Sequence, residues 1–419
     1  MHNVTVATIL TIVVVFVLCS MFLYWKWRKR AKCFKQNIFE SSKQEINGNK
    51  REPLPTLSIT TDYSCGYIRN PEIDCVESRE DVEKLTTLNE VRTKMDHLQP
   101  NKRNMFNKNE VEIKEEIGKG NFGKVYKGEV IGLLRPDSKT TVAIKSVSGM
   151  ASKREIDDFL EEIKVMSHLK HHLNIAGMIG ACTSETTAPQ GDIWLVLEFC
   201  KYGDLKKYLM KHKNKILNGK ESDLINNRCL VKWAHDVANG MKFLAENQIM
   251  HGDLAARNIL MDGDGLPGNA PIAKVADFGL SKRFYDNVSY HKASRMFVPW
   301  KWMAYEYLTR DIFTITSDVW SFGVLLWEIF SFGRTPYGHR GYDEVLDFLQ
   351  QGNCLDCPKE VEKIKSWEPK QLFESISKSC FERDCLKRIP FSAIVQIIQE
   401  ELSNEEMLYY IYRSSQIQH

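Results

Sequence analysis

The residues able to do chemistry fall into short groups in a fixed order. Gly118-Lys119-Gly120-Asn121-Phe122-Gly123-Lys124-Val125 fits the pattern G-x-G-x-x-G-x-V. Glycines at that spacing let a backbone close over phosphates without a Cβ clash. Val142-Ala143-Ile144-Lys145 ends 22 residues after Gly123. A lysine at a strand end is a point charge suited to α- and β-phosphates. Phe159-Leu160-Glu161-Glu162 follows, and a carboxylate there can pair with Lys145. Neighbours on a helix point about 100° apart, so only one of the two glutamates can face the lysine. His251-Gly252-Asp253-Leu254-Ala255-Ala256-Arg257-Asn258 supplies Asp253 to accept a hydroxyl proton and Asn258 to ligate Mg²⁺. Asp277-Phe278-Gly279, 19 residues after Asn258, supplies a second metal ligand.

Elements of two kinds must hold these groups. Val111-Glu112-Ile113, Val125-Tyr126-Lys127-Gly128 and Val142 to Lys145 read as strands, which sets the glycines in a strand–turn–strand. Dinucleotide-binding turns share the glycine spacing, but they open a helix, and no helical pattern follows Gly123. A helical pattern runs from about Glu155 to Leu169, and Ile193 to Phe199 reads as a buried strand. Beyond Tyr202 the chain is mostly helical, with amphipathic runs at 231–247, 316–330 and 371–382. A small β-rich lobe followed by a larger helical lobe is an α+β pattern. No internal repeat is visible.

The glycine loop, Val-Ala-Ile-Lys, Asp-x-x-x-x-Asn and Asp-Phe-Gly, in this order and spacing, resemble the protein kinases over roughly residues 110 to 405. Leu254 to Asn258, Trp302-Met303-Ala304 and Ser317 to Val324 are similar to the receptor-type tyrosine kinases. His171 to Ile175, Gly180 to Thr183 and Glu198 to Gly203 resemble the VEGF, PDGF and FGF receptor branch. The resemblance implies a two-lobed kinase fold, with Asp253 as catalytic base beside Arg257. It implies ATP and Mg²⁺, with phosphoryl transfer to tyrosine hydroxyls of protein substrates, the chain itself among them. Glu162 aligns with the glutamate that pairs with Lys145, and Leu197 with the gatekeeper. The hinge Glu198 to Cys200 would bind adenine through its backbone, with Val125, Ala143 and Leu260 sandwiching the base. Gly118, Gly120, Phe122 and Gly123 would cover the phosphates, with Asn258 and Asp277 on the metal. Tyr285 and Tyr290 fall where relatives carry autophosphorylation sites. Asp318 would anchor the catalytic-loop backbone, Arg388 would pair with Glu306, and Pro299 to Met303 would present an extended substrate.

Some positions depart from the family. Gly252 stands where most members carry an arginine that clasps the phosphorylated loop. Without a guanidinium there, activity should depend weakly on phosphorylation of Tyr285 and Tyr290. Tyr305 and Ile389 replace structural prolines, so altered local packing is expected. The segment between the hinge helix and the 231 helix, Lys211 to Arg228, is short and holds no tyrosine.

The chain has 419 residues, 43% hydrophobic and 26% charged, with net charge +3. That excludes a collagen-like, wholly disordered or multi-span membrane protein. Lys26, Arg28, Lys29, Arg30, Lys32 and Lys35 more than account for the +3, so nucleic acid is not an expected partner. Val4 to Trp25 carries no charge, and 22 residues at about 1.5 Å each span roughly 33 Å, enough for a bilayer core. Positive charge on its C-terminal side argues for an anchor with cytoplasmic kinase rather than a cleaved signal peptide. The expected layout is 1–3 outside, 4–25 spanning, 26–108 juxtamembrane, 109–405 kinase (lobes 109–200 and 201–405) and 406–419 tail. No ligand-binding ectodomain or extracellular ligand is expected, and the membrane is taken as the plasma membrane. Membrane confinement favours self-association for trans-phosphorylation, and phosphotyrosine-binding adaptors are the expected partners. Eleven cysteines are expected as free thiols; Cys354-x-x-Cys357 with Cys380 and Cys385 only superficially resembles zinc spacing. The competing reading is a pseudokinase scaffold, which Gly252 favours and intact Lys145, Asp253, Asn258 and Asp277 oppose.

Overall fold

A computed structural model describes residues 108–120, 123–133, 138–147, 151–183, 193–220, 223–263, 270–283, 299–364 and 367–402. The chain divides into Met1–Ser58 and Ile59–His419, and every described residue lies in the second unit. The apolar stretch at 4–25, the juxtamembrane segment, Phe122, Tyr285, Tyr290 and the tail lie outside the described residues. Among the described residues, no helix is long and apolar enough to cross a membrane.

Strands β1 (Val111–Gly120), β2 (Gly123–Ile131), β3 (Lys139–Val147), β4 (Met178–Thr183) and β5 (Ile193–Glu198) form one antiparallel sheet in the order β1-β2-β3-β5-β4. Successive residues on β3 face opposite sides. Val142 and Ile144 therefore bury into a small core with Val130, Trp194 and Val196. Ala143 and Lys145 share the other face. Across the sheet Ala143 sits opposite Leu197, and Lys145 lies between Val125 and Leu195.

Helix α1 (Lys153–Ser167) starts at a Ser-x-x-Glu capping box. Ser152 Oγ accepts the Glu155 N–H at 3.3 Å, and Glu155 Oε2 accepts the Ser152 N–H at 2.7 Å. The apolar face of α1, with Phe159 and Ile163, packs with Ala181 and Leu195 in the main core. Its other functional output is Glu162.

The helical lobe holds α2 (Leu205–Asn218), α3 (Cys229–Glu246), α4 (Tyr305–Arg310), α5 (Ile315–Phe330), α6 (Tyr342–Gln350), α7 (Pro369–Cys380) and α8 (Phe391–Gln399). Every residue of α5 from Ser317 to Phe330 is buried, as befits a helix apolar nearly all round. Two acids, Asp318 and Glu328, are buried within it. Short strands β6 (Ile259–Asp262) and β7 (Ile272–Val275) pair antiparallel and carry the residues between the catalytic loop and Asp277.

The segment between hinge helix and α3 is shorter than Lys211 to Arg228. Helix α2 runs through Lys211 to Asn218, because Ile216 continues its buried face with Leu205 and Leu209. Tyr305, at the first position of α4, has the Arg383 guanidinium over its ring at 4.8 Å. Ile389 packs at the edge of the core. Both proline replacements thus find local packing.

Candidate active site

Lys145 reaches two carboxylates at once. Its Nζ donates to Glu162 Oε1 and Oε2 at 2.7 and 2.8 Å and to Asp277 Oδ1 at 2.9 Å. Burial alone would lower the lysine, but Asp277 and Glu162 outweigh it and hold the ammonium above its ordinary range. Lys145 in turn holds Asp277 below the usual carboxylate range. Glu161 instead pairs with Lys164 on the outer face at 3.1 Å. The two adjacent glutamates divide as helix geometry requires.

Asp277 has φ +62°, a left-handed conformation that costs a non-glycine residue of order 1–3 kcal/mol. The Lys145 pair and the Gly279 N–H at 3.4 Å hold it there. Phe278 is buried against the His251 ring, centroids 5.5 Å apart.

The catalytic loop is fastened from below. Asp318 Oδ2 accepts the His251 N–H at 2.7 Å, and Oδ1 accepts the Gly252 N–H at 3.0 Å. His251 Nδ1 accepts the Asp253 N–H at 3.2 Å, and Nε2 donates to Ala276 O at 3.0 Å. That pattern is the neutral imidazole, and burial lowers its pKa accordingly. Asp253 receives Arg257 Nη2 on Oδ1 and Asn258 Nδ2 on Oδ2, the latter at 2.8 Å. Burial pushes Asp253 up to about 6, against the pull of Arg257. The carboxylate is thus positioned by two donors yet more basic than usual.

Asn258 also donates to Asp253 O at 2.7 Å, which fixes its amide nitrogen and leaves its carbonyl oxygen available as a ligand donor. An amide oxygen and the Asp277 carboxylate, whose side chain is 48% exposed, are hard donors that fit Mg²⁺. Among the described residues no cluster of three His, Cys, Asp or Glu side chains could hold a metal ion, and the zinc spacing assembles no such group. Cys354 and Cys357 are half-buried, and Cys380 is buried.

Around the nucleotide position, Ala143 is buried and Val125, Leu197 and Leu260 are half-buried. Gly118 and Gly120 end β1, and Gly120 pairs with Gly123 at the start of β2. A Cβ at Gly123 would lie 1.8 Å from Ser146 O, so only glycine fits between these strands. Cys200 is buried, and burial holds its thiol above the ordinary range.

Positioning contacts at three side chains, Glu198, Arg257 and Glu328, were not anticipated from the sequence. The Glu198 side chain accepts from Lys274 Nζ and from the Gly177 N–H, both at 2.7 Å. The Arg257 guanidinium lies over Trp302 at 4.3 Å. Glu328 Oε2 accepts both the Ala256 N–H and Trp302 Nε1–H at 2.8 Å. The available signal was a lone charge inside an apolar run, as in Ala273-Lys274-Val275 and Trp327-Glu328-Ile329.

A family model described as "Protein tyrosine and serine/threonine kinase" matches residues 111–398. The chain belongs to that family. This kinase is 31% identical over 326 residues to a fibroblast growth factor receptor of Ciona intestinalis, covering 75% of this chain and 41% of that one. It is 36% identical over 263 residues to fibroblast growth factor receptor 1 of Pleurodeles waltl, covering 60% and 31%. Against the insulin receptor-related protein of Cavia porcellus it is 33% identical over 314 residues, covering 74% and 22%. The kinase spans less than half the length of these curated relatives.

Proposed function

We propose that the chain is a membrane-anchored protein tyrosine kinase that transfers the γ-phosphoryl of ATP to tyrosine hydroxyls. The observation that carries this is Lys145, bonded to Glu162 and Asp277 together, beside an Asp253 held by Arg257 and Asn258. Tyrosine is favoured over serine and threonine by the Leu254-Ala255-Ala256-Arg257-Asn258 loop and by the receptor relatives.

ATP enters between the lobes. Val125, Ala143 and Leu260 flank adenine, and the backbone from Glu198 to Cys200 meets its edge. Lys145 holds the α- and β-phosphates under the glycine loop. Asn258 and Asp277 would hold Mg²⁺, which would supply positive charge against the phosphates. Asp253 accepts the tyrosine proton as the phenol oxygen bonds the γ-phosphorus, and the bond to the β,γ-bridging oxygen breaks with ADP leaving. Positioning and charge supply most of the catalysis.

The anchor is the uncharged stretch 4–25, with the basic cluster holding the kinase on the cytoplasmic side. Tyr285 and Tyr290 are the autophosphorylation sites, self-association brings chains together, and phosphotyrosine-binding adaptors are the downstream partners. A pseudokinase reading rested on Gly252, for which backbone conformation offers a separate reason.

The test is the full chain in lipid nanodiscs with labelled ATP and Mg²⁺, a Glu/Tyr polymer beside a Ser/Thr peptide, and Asp253→Asn as control. Phosphotyrosine from the parent and none from the variant is the expected result. Equal background from both folded proteins would replace the kinase with a scaffold.

A further inference from the structure

A cavity of about 1060 Å³ opens in the helical lobe, lined by none of the nucleotide or catalytic residues. Trp327, Leu355 and Phe348 supply apolar walls, with the exposed thioether of Met210 at the edge. Lys206, Arg334, Arg340 and Lys359 surround them, against only two carboxylates, Asp356 and Glu360. Glu360 is engaged by Arg334 at 3.2 Å. Lys206, Arg340 and Lys359 form no ion pair among the described residues, and the Arg340 guanidinium lies over the Phe348 ring, 4.4 Å from its centroid. An apolar floor ringed by more cations than carboxylates suits a peptide that carries both acidic and apolar side chains.

The cavity is joined to the segment expected to present substrate. Gly338, in its wall, accepts Lys301 Nζ at 2.7 Å through its carbonyl. One residue earlier, Trp300 meets Tyr342 of α6 edge-on, centroids 5.8 Å apart. The segment Pro299 to Met303 therefore borders this wall, within reach of residues that flank a bound acceptor.

We infer that the cavity binds an acidic stretch of the protein substrate on the C-terminal side of the acceptor tyrosine. This rests on the tyrosine-kinase reading and adds a substrate class to it. The cavity selects by binding and takes no part in phosphoryl transfer, so it lowers KM and leaves kcat alone.

The experiment uses the full chain and three fluorescent tyrosine peptides. One is neutral, one carries a run of glutamates after the tyrosine, and one carries the same run before it. Turnover is measured on the parent and binding by anisotropy on Asp253→Asn. Glutamates after the tyrosine should lower both KM and Kd about tenfold relative to the neutral peptide, which is ~1.4 kcal/mol. The advantage should shrink at high salt. Arg340→Glu/Lys359→Glu should remove it while handling the neutral peptide like the parent, and Lys359→Glu alone should remove part of it. Equal Kd for all three peptides, or a preference that survives both variants, would overturn the inference. Failure to phosphorylate any peptide would sink the kinase reading alone, because the anisotropy preference and its loss in the variants still decide the cavity.

Discussion

A Cβ placed on Gly252 would lie 2.8 Å from the carbonyl oxygen of Leu280, and Gly252 has φ +83°. The residue that departs from the family is therefore the one that suits this backbone without strain. Asp318 fixes that backbone through the His251 and Gly252 amides, so the loop cannot relax freely around a side chain. Gly252→Ala should cost about 1–2 kcal/mol. In a domain of this size that lowers Tm by roughly 2–4 °C per kcal/mol. A thermal scan of parent and variant checks it; an unchanged Tm would mean the loop shifts to accommodate the methyl group.

The same glycine leaves no guanidinium at that position for a phosphorylated loop. Tyr285→Phe/Tyr290→Phe should therefore keep initial rates within about tenfold of the parent, since the phosphate has lost one charge-assisted partner. A loss well beyond tenfold, measured on a peptide substrate, would show that another cation has taken over.

Asp253 must be ionised to accept a proton. Burial has moved it to about 6, so kcat/KM should fall as pH drops through that value, not near 4 where an exposed aspartate titrates. Folding should be monitored across the same range. A rate profile flat down to pH 5 would contradict the assignment of Asp253 as base.

Much of this site is legible in the chain because each group depends on near neighbours in sequence. Glycine spacing, the strand ending at Lys145, and Asp253 to Asn258 are short segments whose local geometry carries their chemistry. Helix periodicity gave the runs at 231–247 and 316–330 to within two residues of α3 and α5. The choice of Glu162 over Glu161 was fixed by the family pattern, and the outward Lys164 pair gives the physical reason. What escaped detection were contacts that join distant segments. Glu328 meets Ala256 across 72 positions, and Lys274 meets Glu198 across 76. No period or spacing encodes such pairs. The end of α2 was misplaced because Ile216 prolongs a buried face through a lysine-rich stretch that reads as polar insert.

Lys145 and Glu162 should be coupled in stability as well as in activity. Glu162 is 2% exposed, and Lys145→Met leaves its carboxylate buried beside Asp277 without a cation. Breaking a buried pair in this way costs about 3–5 kcal/mol. Glu162→Gln in the Lys145→Met background removes the stranded charge and should recover part of that loss, while phosphoryl transfer stays absent. A double-mutant cycle by urea unfolding reads the coupling. Strictly additive losses would show that the pair contributes little to the fold.

Glu328 separates a structural charge from a structural hydrogen bond. One oxygen accepts both Ala256 N–H and Trp302 Nε1–H, and the other, Oε1, is buried with no partner among the described residues. Burial raises its pKa, so the folded protein binds this proton more tightly than the unfolded chain. The stability it contributes is present at low pH and is lost as pH rises from the ordinary carboxylate range through the raised one. Glu328→Gln keeps an oxygen for both donors and has no charge to bury. It should match the parent in acid and gain on it toward neutral pH. Glu328→Leu strands two buried N–H groups and should cost about 1–3 kcal/mol for each. Because those donors belong to the catalytic loop and to the Trp302 that carries Arg257, Glu328→Leu should also lower kcat more than it raises KM. Urea midpoints of all three proteins across pH 4 to 8 decide it: a glutamine variant less stable than the parent at every pH would mean that the unpartnered oxygen has a donor in solution.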